Sequence, residues 1–294
     1  MCVTAGRINE NQPCDTWAGS AAGTGGHNGA DIGEGNTMAL WVRFADGPRE
    51  GFGTLSDDTI DVYEGNMFAT PVATGEKLPR ARVRLLMPCT PTKMICLWNN
   101  FHALAAKLGV AEPAEPLYLL KAPSAFMGPG EAIRRPPAYD GKIVYEGELG
   151  IVIAKRCANA SPEDARTAIF GYTCINDVTA ADIISKDPTF AQWARAKSFD
   201  TFGIFGPAIA TDIDPASLVV RTILNGAERQ NYPISDMIFP AADLVSALSK
   251  DMTLMPGDVI ACGTSVGVGA MKEAANTIEV AIAGIGTLSN TFAQ

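Results

Sequence analysis

Apolar and polar positions along this chain change their period several times, and each change marks an element. Residues 149–154, Leu-Gly-Ile-Val-Ile-Ala, are nearly continuous apolar sequence, the pattern of a strand buried on both faces. Together with the residues before it, 142–154 reads as one strand-like run. Shorter strands are predicted at 39–44, 51–55 and 59–62, separated by Asp-Gly and Ser-Asp-Asp turn signals. They predict a small β domain over 38–90. Further strands follow at 82–86 and 93–97, and then Pro113, Pro116, Pro123 and Pro129 punctuate a loop-rich stretch.

Ser161-Pro162-Glu163-Asp164 has the order of a helix start: a capping Ser, Pro at the first helical position, acids in the first turn. That helix is expected to run to about residue 170 and to feed a strand ending at Asp177. Runs at 218–224 and 228–232 flank Asn225-Gly226, the strongest hairpin signal in the chain. Residues 236–249 read as a helix, 259–262 as a strand, and strands resume from 277. There are no internal repeats. The total is an α+β, β-rich chain without the β-α alternation of a doubly wound fold.

Residues 1–37 follow none of these patterns. They hold eight glycines and no hydrophobic periodicity, and they lack the apolar segment of a secretory signal. They read as a disordered or non-native leader, so folded structure is expected from Met38. Over 294 residues, 47% hydrophobic and 19% charged composition fits a globular chain with a sizeable core. The net charge of −9 comes without any Lys/Arg run, which argues against nucleic acid as a partner. No apolar stretch approaches the roughly 18 residues of a membrane span. Seven scattered cysteines without Cys-x-x-Cys read as reduced thiols of a cytoplasmic protein.

The candidate chemistry is carboxylate. Glu146 and Glu148 stand at i and i+2 of the strand-like run, so their side chains are expected on one face. Like charges that close raise each other's pKa, and a divalent cation removes the cost. Oxygen-only ligands suit a hard ion such as Mg²⁺. The same spacing also occurs on solvated strand faces. The apolar flank favours the metal, because charges entering a buried strand need compensation.

Seven ordered stretches over some 170 residues resemble the fumarylacetoacetate hydrolase family. They are Asn99-Asn100-Phe101-His102-Ala103, Lys121-Ala122-Pro123-Ser124 with Gly128-Pro129-Gly130, Tyr145-Glu146-Gly147-Glu148-Leu149, Gly171-Tyr172 through Asn176-Asp177-Val178-Thr179-Ala180, Lys197-Ser198-Phe199-Asp200, Leu224-Asn225-Gly226, and Pro256-Gly257-Asp258 before Gly263-Thr264. The resemblance implies a distorted β-roll catalytic domain over 91–294, preceded by the small β domain, in a homodimer. It implies Mg²⁺, or Mn²⁺, held by Glu146, Glu148 and Asp177. Family substrates are small 2-oxo acids or their enols. The shared step forms an enolate of a pyruvate-like fragment, whose charge the metal stabilises.

The same resemblance assigns the remaining roles. His102 is the one imidazole of the folded region, and it matches the family's base; a structural histidine is the other reading. Lys197 matches a substrate-facing cation, against the ordinary fate of a surface lysine. Lys121 and the Gly263-Thr264 turn match substrate-binding positions. Three departures bear on the reaction. Hydrolases of the family carry Glu three residues after the His, where this chain has Ala105. Their carbonyl-polarising Arg and Gln are replaced by Ala181 and Ile184, and loss of one such donor costs about a hundredfold to a thousandfold. Family frequency favours C–C hydrolysis of an acylpyruvate. The departures favour isomerisation or decarboxylation of a 2-hydroxymuconate-like diacid. A non-catalytic metal-binding paralogue is a third reading.

Overall fold

The structure, a computed structural model, describes residues 38–294. The expectation of a leader over 1–37 lies outside the described residues, as do Cys2, Cys14 and His27. The described chain is β-rich, with three sheets and a few short helices.

The largest sheet has twelve strands. Its first part is a meander: Leu40–Asp46, Arg49–Ser56, Thr59–Glu64 and Val72–Pro79, each antiparallel to the next. The first strand also pairs with Gly203–Ala210, through Leu40 with Ala210 and Trp41 with Ile209. The sheet continues through Ile169–Asp177, Gly147–Ile153, Val259–Ala261 and Met94–Trp98, and it ends on Leu117–Lys121. Every residue of Gly147–Ile153 is buried, as its apolar run predicts.

A five-stranded sheet contains Ala227–Pro233, Val219–Leu224, Ala275–Ile282, Gly286–Ala293 and Ala132–Ile133. Its first turn is the expected hairpin: Asn225 and Gly226 both have positive φ, 52° and 78°, as a two-residue turn of matching twist requires. A third sheet of three short strands, Thr179–Ala180, Ile143–Tyr145 and Gly269–Ala270, lies beside the functional site in sequence and space.

The helices differ in extent from the sequence expectation. Ser161 caps its helix as predicted, its Oγ accepting from the Asp164 N–H at 3.1 Å. The helix covers only Pro162–Thr167, because the buried strand Ile169–Asp177 takes over the residues beyond. The helix expected over 236–249 begins at Ala241 and ends at Asp251. Pro240 disfavours helical backbone at the residue before it, and residues Ile234–Asp236 form a separate 3₁₀ turn. The proline-rich stretch contains the edge strand Leu117–Lys121, whose five residues carry no alternation that would announce it.

The main core surrounds the two central strands: Leu149, Ile151, Ile153, Cys174, Val178, Phe202 and Ile204 join residues of the five-stranded sheet and of helix Ala241–Asp251. The five described cysteines are all buried and unbridged. Burial pushes the Cys89 and Cys174 thiols up to about 12. Among the described residues no helix is long and apolar enough to cross a membrane.

Candidate metal centre

The run 142–154 is not one strand. It breaks at Glu146: Ile143–Tyr145 belongs to the three-stranded sheet and Gly147–Ile153 to the twelve-stranded one. Glu146 therefore sits at the crossing between sheets rather than at a regular i, i+2 position. Its backbone is fixed from the neighbouring strand. Its N–H donates to Asn176 Oδ1 at 3.2 Å, and its carbonyl accepts from the Asp177 N–H at 2.8 Å. Gly147 is required at the crossing, since a Cβ there would lie 2.0 Å from Thr222 Oγ1. Glu148 pairs in register with Ile175, and Asp177 ends that neighbouring strand.

This arrangement gathers Glu146, Glu148 and Asp177 so that one carboxylate oxygen from each lies within 4.8 Å of the others. Glu148 and Asp177 are fully buried, while the Glu146 side chain keeps 16% of its exposure. The opening therefore lies on the Glu146 side.

Two buried ammonium groups face the three carboxylates. Lys197, the last residue of helix Trp193–Lys197, reaches Asp177 Oδ2 at 2.6 Å, Glu146 Oε2 at 3.0 Å and Thr179 Oγ1 at 2.8 Å. Lys121, at the end of the edge strand, lies 2.6 Å from Asp177 Oδ1, an ion pair without hydrogen-bond alignment. Its three protons go to the carbonyls of Val178, Lys197 and Phe202 at 3.2, 2.7 and 2.7 Å. Burial pushes the Asp177 carboxyl upward, but the two ammonium groups overcome it and hold it below its usual range. Burial likewise pushes the Lys197 ammonium down, but Asp177, Glu146 and Glu148 hold its pKa above the usual lysine value.

Glu148 is the member left short. Burial, followed by the charge of Asp177, pushes its carboxyl well above the usual range. Its Oε2 accepts from the Gly263 N–H at 2.9 Å, but its buried Oε1 has no hydrogen-bond partner among the described residues. An unpaired buried acceptor costs about 1–3 kcal/mol, more when charged. Three all-oxygen ligands, one of them with a buried oxygen left unbonded, fit a hard divalent cation.

The residues that the resemblance matches to substrate binding bond to protein groups. Lys121 stands beside Asp177 with its three donors on the carbonyls of Val178, Lys197 and Phe202. The Gly263 N–H and the Thr264 hydroxyl, matched to positions that contact a substrate carboxylate, both have protein acceptors. The first holds Glu148, and the second donates to the Gly147 carbonyl at 3.0 Å. Lys197 does stand against the carboxylates, with its three acceptors supplied by their side chains and by Thr179.

Sequence reasoning passed over three supporting residues. Buried Gln230 accepts from the Gly147 N–H at 3.0 Å and donates to Thr264 Oγ1 at 2.8 Å, tying the crossing to the turn. Thr179 donates to Glu146 Oε1 at 2.7 Å. Glu112 lies 2.6 Å from His102 Nδ1. Thr179 stands inside one of the seven ordered stretches. Gln230 lies in the predicted hairpin strand and Glu112 in the proline-punctuated stretch, and no local pattern marks either side chain.

Residues 93–293 match the family described as Fumarylacetoacetate (FAA) hydrolase C-terminal. The chain belongs to the fumarylacetoacetate hydrolase family. Residues 40–88 match a second family, described as Rv2993c-like, N-terminal. Protein Rv2993c of Mycobacterium tuberculosis is 42% identical over 241 residues, 81% of this chain and 89% of that protein. Oxaloacetate tautomerase YisK of Bacillus subtilis is 35% identical over 224 residues, 72% of this chain and 73% of that one. The crystal structure of 2-hydroxyhepta-2,4-diene-1,7-dioate isomerase from Mycobacterium marinum superposes with a TM-score of 0.79 at 38% identity. The match covers 87% of this chain and 99% of the isomerase. Within the fumarylacetoacetate hydrolase family, then, this chain has relatives named as a tautomerase and as an isomerase.

Proposed function

We propose that this chain is a metal-dependent enzyme that interconverts the enol and keto forms, or shifts the double bond, of a small 2-oxo acid. The observation that carries the reading is the buried trio Glu146, Glu148 and Asp177 with its unpartnered Glu148 oxygen. These three residues would hold Mg²⁺ or Mn²⁺. A cation there supplies positive charge beside a developing enolate oxygen, in a site dry enough for that charge to count. Lys197 adds a second fixed positive charge at the same carboxylates, and Lys121 and Gly263 keep those carboxylates in place. Isomerisation needs proton transfer and enolate stabilisation but no attack by water. That matches a chain whose Ala181 and Ile184 offer no side-chain donor to a carbonyl under attack. Ile184 instead packs on the main core.

C–C hydrolysis of an acylpyruvate is the second reading. One observation favours it: the His102–Glu112 pair is an imidazole–carboxylate arrangement of the kind that activates water. A panel separates the two. Enol oxaloacetate, an unsaturated 2-oxo diacid and an acylpyruvate are each followed with Mg²⁺ and with chelator. Isomerisation predicts metal-dependent loss of the enol without a cleavage product. It also predicts that Asp177→Ala abolishes turnover and metal binding together. Pyruvate released from the acylpyruvate would move the assignment to hydrolysis. Full turnover in chelator would sink both.

We also propose that the protein is a homodimer, supported by the edge of the large sheet. Among the described residues Leu117–Lys121 pairs on one side only, with Met94–Trp98, and presents exposed Leu117, Tyr118 and Leu120. An unpaired apolar edge is a site for pairing with another chain.

A further inference from the structure

Ala105 leaves His102 without a carboxylate one helical turn away, yet His102 is not alone. Its Nδ1 lies 2.6 Å from Glu112 Oε1, and both side chains are half exposed, at 50% and 53%. The two residues are ten apart, so the contact is not a helical neighbour pair. Both ends of it are built into the fold. Asn100 is held by its side chain, which donates to the Cys262 carbonyl at 2.9 Å and accepts from the Phe239 N–H at 2.9 Å. The residue after Cys262 is Gly263, which holds Glu148. A Cβ on Gly263 would lie 3.5 Å from the Asn100 Cβ. Two residues of extended chain span at most about 7 Å, so the helix that begins at His102 starts within that distance of Asn100, which packs on the Gly263 turn. Asp236 Oδ2 fixes that start by accepting from the Ala103 N–H at 3.1 Å.

Glu112 is held from the other side. Helix His102–Leu108 ends on Gly109 in the left-handed region, with φ of 65°, and the chain turns back. The side chain of buried Asn99 then donates to the Ala111 carbonyl at 3.1 Å. Asn99 itself has φ of 56°, a conformation asparagine tolerates better than most residues. Adjacent residues Asn99 and Asn100 thus anchor the two halves of one pair: Asn99 the segment carrying Glu112, Asn100 the segment carrying His102.

We infer that Glu112 is the positioning carboxylate for His102, standing in where Ala105 offers none; the base role itself is the one the family resemblance gives His102. The inference rests on the proposed enolising function. A carboxylate only accepts, so Nδ1 carries the proton and the Nε2 lone pair is free. His102 takes a proton from the substrate through Nε2 and becomes an imidazolium stabilised by Glu112. It then returns that proton to another atom of the same substrate, so no oxidant or other co-reactant is consumed. The hydrogen bond to Glu112 raises the His102 pKa above its usual value. The charged groups facing the ring are Glu112 and, from the turn Ile234–Asp236, Asp236.

The test compares the full-length chain with Glu112→Ala and Glu112→Asp at saturating Mg²⁺. The His102 ring resonances are titrated by NMR, assigned against His27→Ala. Turnover of the substrate panel is measured across pH. In Glu112→Ala the His102 pKa should fall, and the acid limb of kcat/KM should move to lower pH with it. There kcat should drop about tenfold or more, while Mg²⁺ affinity by calorimetry stays unchanged; Glu112→Asp should recover part of both. An unmoved titration and an unmoved pH profile would overturn the pairing. Absence of wild-type turnover on the whole panel would overturn the base role together with the functional reading, whatever the titration shows.

Discussion

Glu148 concentrates the physical problem of this molecule in one side chain. It is fully buried, faces Asp177, and has one oxygen bonded and one oxygen orphaned. Its carboxyl is pushed well above the usual range, so the metal-free chain keeps a proton there at pH values where an ordinary glutamate has lost it. A cation must displace that proton. The sign follows: Mg²⁺ affinity rises with pH, by about tenfold per unit while Glu148 is the one group giving up a proton. Calorimetry in two buffers of different ionisation enthalpy should show protons released on binding. Equal heats in both buffers would contradict it. The identities of the three ligands were legible in the sequence through the order of motifs. The partners that set their charge state were not. Lys121 and Asp177 are 56 positions apart in the chain, and nothing near either residue announces the other.

At the scale of elements, the crossing at Glu146 decides the geometry. A single continuous strand would have aimed Glu146 and Glu148 to one face by alternation. The actual chain leaves one sheet at Tyr145 and enters another at Gly147. Tyr232 donates its hydroxyl to the Gly147 carbonyl at 2.5 Å, and Gln230 accepts from its N–H. The Gly147 α-carbon also faces Thr222. Gly147→Ala should destabilise by about 1–3 kcal/mol, the ordinary cost of overpacking, measured by urea unfolding. Thr222→Ala removes the oxygen in the way, so the double variant should recover part of the loss. Strictly additive losses would mean that the crossing is not set by this contact. The strand-like composition of 142–154 was readable. The break was not, because a period of two carries no information about which sheet each half joins.

For the whole molecule, the large sheet links the first strands to the site-bearing ones. Leu40–Asp46 hydrogen-bonds to Gly203–Ala210, which pairs in turn with Ile169–Asp177. The opposite edge is the apolar strand Leu117–Lys121, and the same strand ends in Lys121 behind Asp177. A dimer formed through this edge would therefore bear on the metal centre through Lys121. Sedimentation should give the mass of two chains, and Tyr118→Glu with Leu120→Lys should shift it to one. A wild-type chain that sediments as a monomer at micromolar concentration would end the proposal.

The sequence by itself determined what depends on neighbours along the chain. The Ser161 cap, the Asn225-Gly226 turn and the doubly buried strand after Glu148 all follow from residues within a few positions of one another. The ordered motifs added the family and its three carboxylates. Only the tertiary structure decided how those carboxylates are held. Lys121 turned out to brace Asp177, Gly263 and Thr264 spend their donors on Glu148 and Gly147, and Glu112 supplies the carboxylate that Ala105 cannot. The physical reason is common to all of these. A buried donor or acceptor must be satisfied by whichever group the fold brings within about 3 Å, and that group's distance along the chain is set by sheet order and loop closure, which leave no local periodicity to read.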